Sequence, residues 1–90
     1  MKKFMQAVLL LQNGVSANSR NESGESPLIF VAKNLSKKEH KRNREKFAKV
    51  LLEFGADPNI QDDSGKTALM YAAGKGESDL VLLLLVIKVK

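Results

Sequence analysis

The chain has 90 residues, 43% hydrophobic and 28% charged, with a formal net charge of +5, which suits one small globular domain. It contains no Cys, which excludes disulfides and thiolate metal sites. Its longest apolar run, Leu80 to Ile87, is eight residues, far below the roughly 20 needed to cross a bilayer, so no membrane insertion is expected.

Phe4, Ala7, Val8, Leu10 and Leu11 fall at three- and four-residue spacings and predict a helix over about 4–13. Gly14 is placed to end it in the left-handed conformation. Met1-Lys2-Lys3, the apolar stretch that follows and Val15-Ser16-Ala17 also imitate a secretory leader. Against a leader stand Gln6 and Gln12 and the repeat register described below, so secretion through an N-terminal leader is kept as the alternative. Residues 14–25 read as a polar, turn-rich excursion.

Ser26-Pro27 opens the next helix: the hydroxyl caps an orphan N–H, and the proline sits where no donor is missed. Leu28-Ile29-Phe30-Val31-Ala32 follows as a short, largely buried helix. Lys33 to Lys46 is different, with seven Lys/Arg against two Glu, so the rest of the chain, eight basic against eight acidic residues, sums to zero. Ser36-Lys37-Lys38-Glu39 has the form of a capping box, which extends the following helix to about 36–54; a disordered polar loop is the alternative.

Gly55 closes that helix and a second polar excursion fills residues 55–66. Thr67 caps Leu69-Met70-Tyr71-Ala72-Ala73, Gly74-Lys75-Gly76 turns, and Asp79 stands at the start of a last apolar helix. Val86-Ile87-Lys88-Val89-Lys90 alternates in a way that suits a strand as well as a helix.

The two excursions are copies. Shifting 14–32 by 41 residues onto 55–73 matches six of 19 positions, among them Gly14/Gly55, Asn18/Asn59, Gly24/Gly65 and Ala32/Ala73. The interval from the capping Ser26 to Gly55 exceeds its counterpart by eight residues, an insertion within about 35–46.

Val50-Leu51-Leu52-Glu53-Phe54-Gly55-Ala56-Asp57-Pro58-Asn59, Asp62-Asp63-Ser64-Gly65-Lys66-Thr67-Ala68-Leu69-Met70-Tyr71-Ala72-Ala73-Gly74-Lys75-Gly76 and Leu83-Leu84-Leu85 together resemble the ankyrin repeat. The resemblance covers about residues 6–87 apart from the insertion. It implies an all-α, ankyrin-repeat helical solenoid with hairpin-like finger loops: a helix at 4–13, a finger at 14–25, a helix pair at 26–54, a finger at 55–66 and a helix pair at 67–87. Two departures stand out. Ile29 and Met70 occupy the position of the family's usual His, and Val15-Ser16 replaces Ala-Asp after Gly14, which predicts a less regular first turn.

The resemblance implies a non-enzymatic, intracellular or cytoplasmic interaction module that binds a protein partner through fingers and inner helices. Carried over by position, the contact residues are Arg20, Glu22, Ser23 and Glu25 on the first finger and Gln61, Asp63, Ser64 and Lys66 on the second. Phe30, Lys33 and Tyr71 are the contacts on the inner helices. The bland reading of each is a solvated turn or helix residue.

The basic tract offers a second class of function, polyanion or nucleic-acid binding through Lys37, Lys38, Lys41, Arg42, Arg44 and Lys46. It lacks interleaved aromatics for base stacking, and a solvated, charge-laced helix or loop explains it as well. His40 has no Cys or paired carboxylate near it, and the aspartates at 57, 62 and 63 are explained by turn hydrogen bonds, so no metal, cofactor or catalytic site is expected. The last helix ends without a polar cap, which leaves an apolar flank suited either to self-association or to packing within a longer array of which this chain is a piece.

Overall fold

The computed structural model describes residues 9–35 and 41–89, and within them several helix ends have a local chemical cause. Helices α1 (Pro27–Asn34), α2 (Lys41–Glu53), α3 (Ala68–Gly74) and α4 (Ser78–Val89) follow the end of an earlier helix at residues 9–12. Ser26 Oγ accepts from the Ile29 N–H at 3.2 Å to start α1, and Thr67 Oγ1 accepts from the Met70 N–H at 3.3 Å to start α3. Pro27 fills the first turn of α1, as its missing donor allows.

Three of the helix ends are built alike. Gly14 (φ 92°) and Gly55 (φ 86°) adopt left-handed backbone, and the next residue reaches back five positions, Val15 N–H to Leu10 O at 3.0 Å and Ala56 N–H to Leu51 O at 2.9 Å. Each is the double hydrogen bond that satisfies orphan helix carbonyls and turns the chain sharply. The same motif recurs at Gly76, with Glu77 N–H on Ala72 O at 2.9 Å, and there it folds α4 back beside α3.

The helices form two layers. α1 packs on α3 in one layer, α2 on α4 in the other, and each pair is closed by α1 against α2 and α3 against α4. Leu28, Ile29, Leu51, Leu80 and Leu84 are buried between the layers, and Ala32, Ala48, Ala68 and Ala72 let the backbones approach. Burying each large aliphatic side chain contributes roughly 2 kcal/mol, and this packing rather than helix propensity holds helices as short as α3.

Three expectations are settled differently or more narrowly here. Ser16 does not make the first turn irregular: its hydroxyl accepts from the Asn18 N–H at 3.1 Å, as Asp57 accepts from the Asn59 N–H at 2.9 Å. The tail is helical through Val89, with no strand among the described residues, because Leu80 and Leu84 sit four apart on a helical face and are both buried. In the insertion, residues 41–46 are helical and continuous with α2, while Lys37, Lys38, His40 and the Ser36–Glu39 box lie outside the described residues, as do residues 1–8.

Candidate functional site

Each finger is knit by one side chain. In the first, Asn21 Oδ1 accepts from the N–H groups of Ser23 at 3.0 Å and Glu25 at 2.9 Å, and its amide donates to Glu25 Oε1 at 2.9 Å. In the second, Asp62 Oδ1 accepts from Ser64 and Lys66, both at 2.9 Å. Backbone bonds close both turns, Asn21 N–H to Glu25 O at 3.1 Å and Asp62 N–H to Lys66 O at 2.9 Å. Short Asx side chains that mimic backbone acceptors are what such turns need.

The fingers also hold each other. Asp63 N–H donates to Ser23 O at 3.0 Å, and a Cβ on Gly24 would stand 2.5 Å from Asp63 Oδ1 and 3.1 Å from its backbone nitrogen. Lower down, Asn18 bridges the repeats: its amide donates to Gly55 O at 3.1 Å and its oxygen accepts from the Asp57 N–H at 2.6 Å.

On the inner side these turns meet α1 and α3. Lys33 Nζ contacts Glu25 Oε2 at 2.7 Å, and the ammonium groups of Lys33 and Lys66 stand 5.9 and 5.5 Å from the centre of the Tyr71 ring. The Tyr71 hydroxyl donates to Asp62 Oδ2. The hydrogen bond from Lys33, then that from Asn21, holds the Glu25 carboxyl below its ordinary value, and the Tyr71 hydroxyl does the same for Asp62. Reciprocally, Glu25 raises Lys33 and Asp62 raises Tyr71, so the carboxylates and the lysine are charged and the phenol neutral at neutral pH.

Of the residues anticipated from sequence, Arg20, Glu22, Ser23, Gln61, Asp63, Ser64 and Lys66 are exposed on the fingers, Phe30 and Lys33 are exposed on α1, and Tyr71 is half-buried on α3. Glu25 is the correction on this face: it is buried, and Asn21 and Lys33 take its oxygens. Met70 was missed. It is 53% exposed although Ile29, its counterpart in the first repeat, is fully buried, because α3 packs over Ile29 and nothing described covers Met70.

The basic tract divides. Lys41, Arg42 and Lys46 are exposed on α2, joined by Lys49, which lies past the insertion and outside the set anticipated from sequence. Arg44 does not belong with them. Its side chain is only 6% exposed; Nε and Nη2 donate to Asp79 Oδ2 at 3.0 Å and Oδ1 at 2.8 Å, and Nη1 donates to Leu35 O at 3.2 Å. A guanidinium that is itself buried and spent on three acceptors is unavailable to a polyanion. Burial pushes Asp79 up, but the Arg44 hydrogen bond and charge outweigh it and hold the carboxyl below its ordinary value.

Beside this pair lies Glu77, whose Oε1 is 3.7 Å from Arg44 Nε and whose two carboxyl oxygens are buried without a hydrogen-bond partner. Burial raises its carboxyl above the ordinary value. Among the described residues no three His, Cys, Asp or Glu side chains gather in a way that could hold a metal ion, and no helix is long and apolar enough to cross a membrane.

The family model for ankyrin repeats, in three copies, matches residues 2–90. An ankyrin repeat protein of Acanthamoeba polyphaga mimivirus is 41% identical over 68 residues, 76% of this chain and 15% of that protein. The ADP-ribosylation factor GTPase-activating protein AGD4 of Arabidopsis thaliana is 40% identical over 79 residues, 84% of this chain and 9% of its own length. Ankyrin repeat domain-containing protein 63 of Mus musculus is 42% identical over 65 residues, 72% of this chain and 16% of its own. The chain therefore spans less than a fifth of the length of these curated relatives.

Proposed function

Because this chain belongs to the ankyrin-repeat family, we propose that it binds another protein through its two fingers and the inner helices α1 and α3. Ankyrin repeats are generally protein–protein interaction modules, and proteins built from them are typically non-enzymatic. The observation that carries the reading is the convergence of Lys33, Lys66 and Tyr71, from three separate elements, on one face beside fingers bonded to each other. Such a frame presents side chains at fixed spacings without ordering cost on binding.

The module works as a non-catalytic adaptor in the cytoplasm or another intracellular compartment, which fractionation of cells expressing the tagged chain checks. Pull-down from those cells, followed by double charge reversal at Asp63 and Lys66, tests the binding face. Retained partner binding by the reversed variant would sink the finger assignment.

A second reading rests on a different observation, the exposure of Lys41, Arg42, Lys46 and Lys49 along α2, with Arg42, Lys46 and Lys49 spaced to share one side. These side chains, with Lys37 and Lys38 upstream, suit a polyanion such as nucleic acid. Binding to duplex or single-stranded polymer should then weaken steeply with salt and vanish when Lys41, Arg42, Lys46 and Lys49 are together changed to Glu in a chain that keeps Arg44. The exposed apolar side chains of Met70, Leu82, Leu85 and Val86 support the third element of the reading, self-association through the C-terminal flank.

A further inference from the structure

We propose that the inner face selects an acidic segment of its partner protein, setting a carboxylate between Lys33 and Lys66 beside the Tyr71 ring and an apolar side chain against Phe30. This deepens, and rests on, the reading of that face as a protein-binding surface.

The acids of this face are already used by the fold, and its cations are not. Glu25 is buried, with one oxygen taken by Asn21 and the other by Lys33. Asp62 is also buried, with Oδ1 taken by two backbone N–H groups and Oδ2 by the Tyr71 hydroxyl. Neither carboxylate can turn toward a ligand without stranding a donor that it now satisfies.

The cations are in the opposite condition. Lys66 is exposed and makes no ion pair among the described residues, only the ring contact at 5.5 Å. Lys33 spends one of its three N–H donors on Glu25, with its side chain still exposed. What the face offers a ligand is therefore donors and positive charge, although the residues composing it include as many acids as lysines.

Tyr71 fixes where that charge sits. Its hydroxyl is tied to Asp62 at the finger base, so the ring is held near both ammonium groups instead of swinging into solvent. The two ammonium groups stand 5.9 and 5.5 Å from that ring centre, so an anion that settles beside the ring meets positive charge from α1 and from the second finger. Phe30 lies three positions before Lys33 on α1, on the same side of the helix, and is 51% exposed. A large apolar side chain next to the acid would cover it. The fingertip acids Glu22 and Asp63 belong to the turns themselves, not to this pair.

The test is selection of a random-peptide phage library on the full chain, followed by fluorescence polarisation with the labelled enriched peptide. Enriched sequences should place Asp or Glu next to a large apolar residue. Lys66→Glu should weaken that peptide at least about tenfold and Lys66→Arg little, the span expected for loss of a complementary charge. Phe30→Ala should weaken it too, and both variants should melt like the parent, since both side chains are exposed. Lys33 is left intact because its removal would strand buried Glu25.

Enrichment of neutral or basic peptides that Phe30→Ala still weakens would overturn the acidic preference and leave the binding face standing. Peptides indifferent to Phe30→Ala and Lys66→Glu would overturn both. A library that yields no enrichment overturns the proposal as well.

Discussion

Arg44 grips Asp79 across 35 residues of sequence through two hydrogen bonds of 3.0 and 2.8 Å, tying the start of α2 to the start of α4. The inserted basic segment is thereby riveted to the second repeat by one of its own arginines.

Removing that arginine leaves Asp79 nearly buried and uncompensated. Arg44→Met should cost about 3 kcal/mol or more of unfolding free energy, the usual penalty for breaking one side of a buried pair. Lys46→Met, exposed on the same helix, should stay within about 0.5 kcal/mol of the parent. Urea unfolding of both variants checks the contrast, and equal effects would mean that Arg44 is not the anchor.

Stability should depend on pH in two opposed ways. Glu25, Asp62 and Asp79 have carboxyls lowered by their partners, so their contribution is present above their ordinary values of 4.5, 3.8 and 3.8 and is lost as pH falls through the lowered ones. Glu77 runs the other way. Burial raises its carboxyl, Arg44 and Lys75 pull it down and Asp79 pushes it up; its contribution is complete below the ordinary 4.5 and is lost as pH rises through the raised value. Glu77→Gln should therefore gain on the parent between pH 4.5 and neutrality, whereas both should weaken together in stronger acid. Chemical denaturation across that range measures it, and parallel curves throughout would refute the burial of a titrating Glu77.

Gly24 and Gly65 occupy equivalent turns with similar positive φ, 76° and 79°, yet only Gly24 faces a neighbour. Gly65→Ala should cost about 1 kcal/mol for the strained backbone alone. Gly24→Ala should cost more, about 2–3 kcal/mol, because its methyl also collides with Asp63 and loosens the contact between the fingers. Thermal melts of the two variants decide whether the fingers truly touch.

The exposed leucine and valine of α4 predict the behaviour of the isolated chain. Leu82 and Val86 lie four apart on one helical stripe and are both exposed. The parent should sediment above monomer mass at high concentration, and Leu82→Lys with Val86→Lys should return it to monomer. A parent that is monomeric under the same conditions would remove self-association.

Features with a local cause could be read from sequence. Ser26, Thr67, Gly14 and Gly55 announce helix ends through bonds made within five residues, and the 41-residue register repeated them. Contacts made at a distance could not. Arg44 looks like its basic neighbours until Asp79 arrives from the next repeat, and Ile29 and Met70 share a register but differ in burial because only the former has a helix stacked upon it. Ser16 keeps the turn regular for a subtler reason: a hydroxyl and a carboxylate differ in charge but accept the same turn hydrogen bond.

The bond from Asp63 N–H to Ser23 O, with no room for a side chain at Gly24, makes the two fingertips a ruler with a single fixed interval. New binding preferences are then open to this chain by exchanging side chains at positions such as 20, 22, 61 and 64, while lengthening either turn would cost the alignment of both. Change has a second outlet. The basic residues of the insertion that are described and exposed, Lys41, Arg42 and Lys46, lie on α2, which belongs to neither fingertip, so side chains there can change without resetting what the fingers measure.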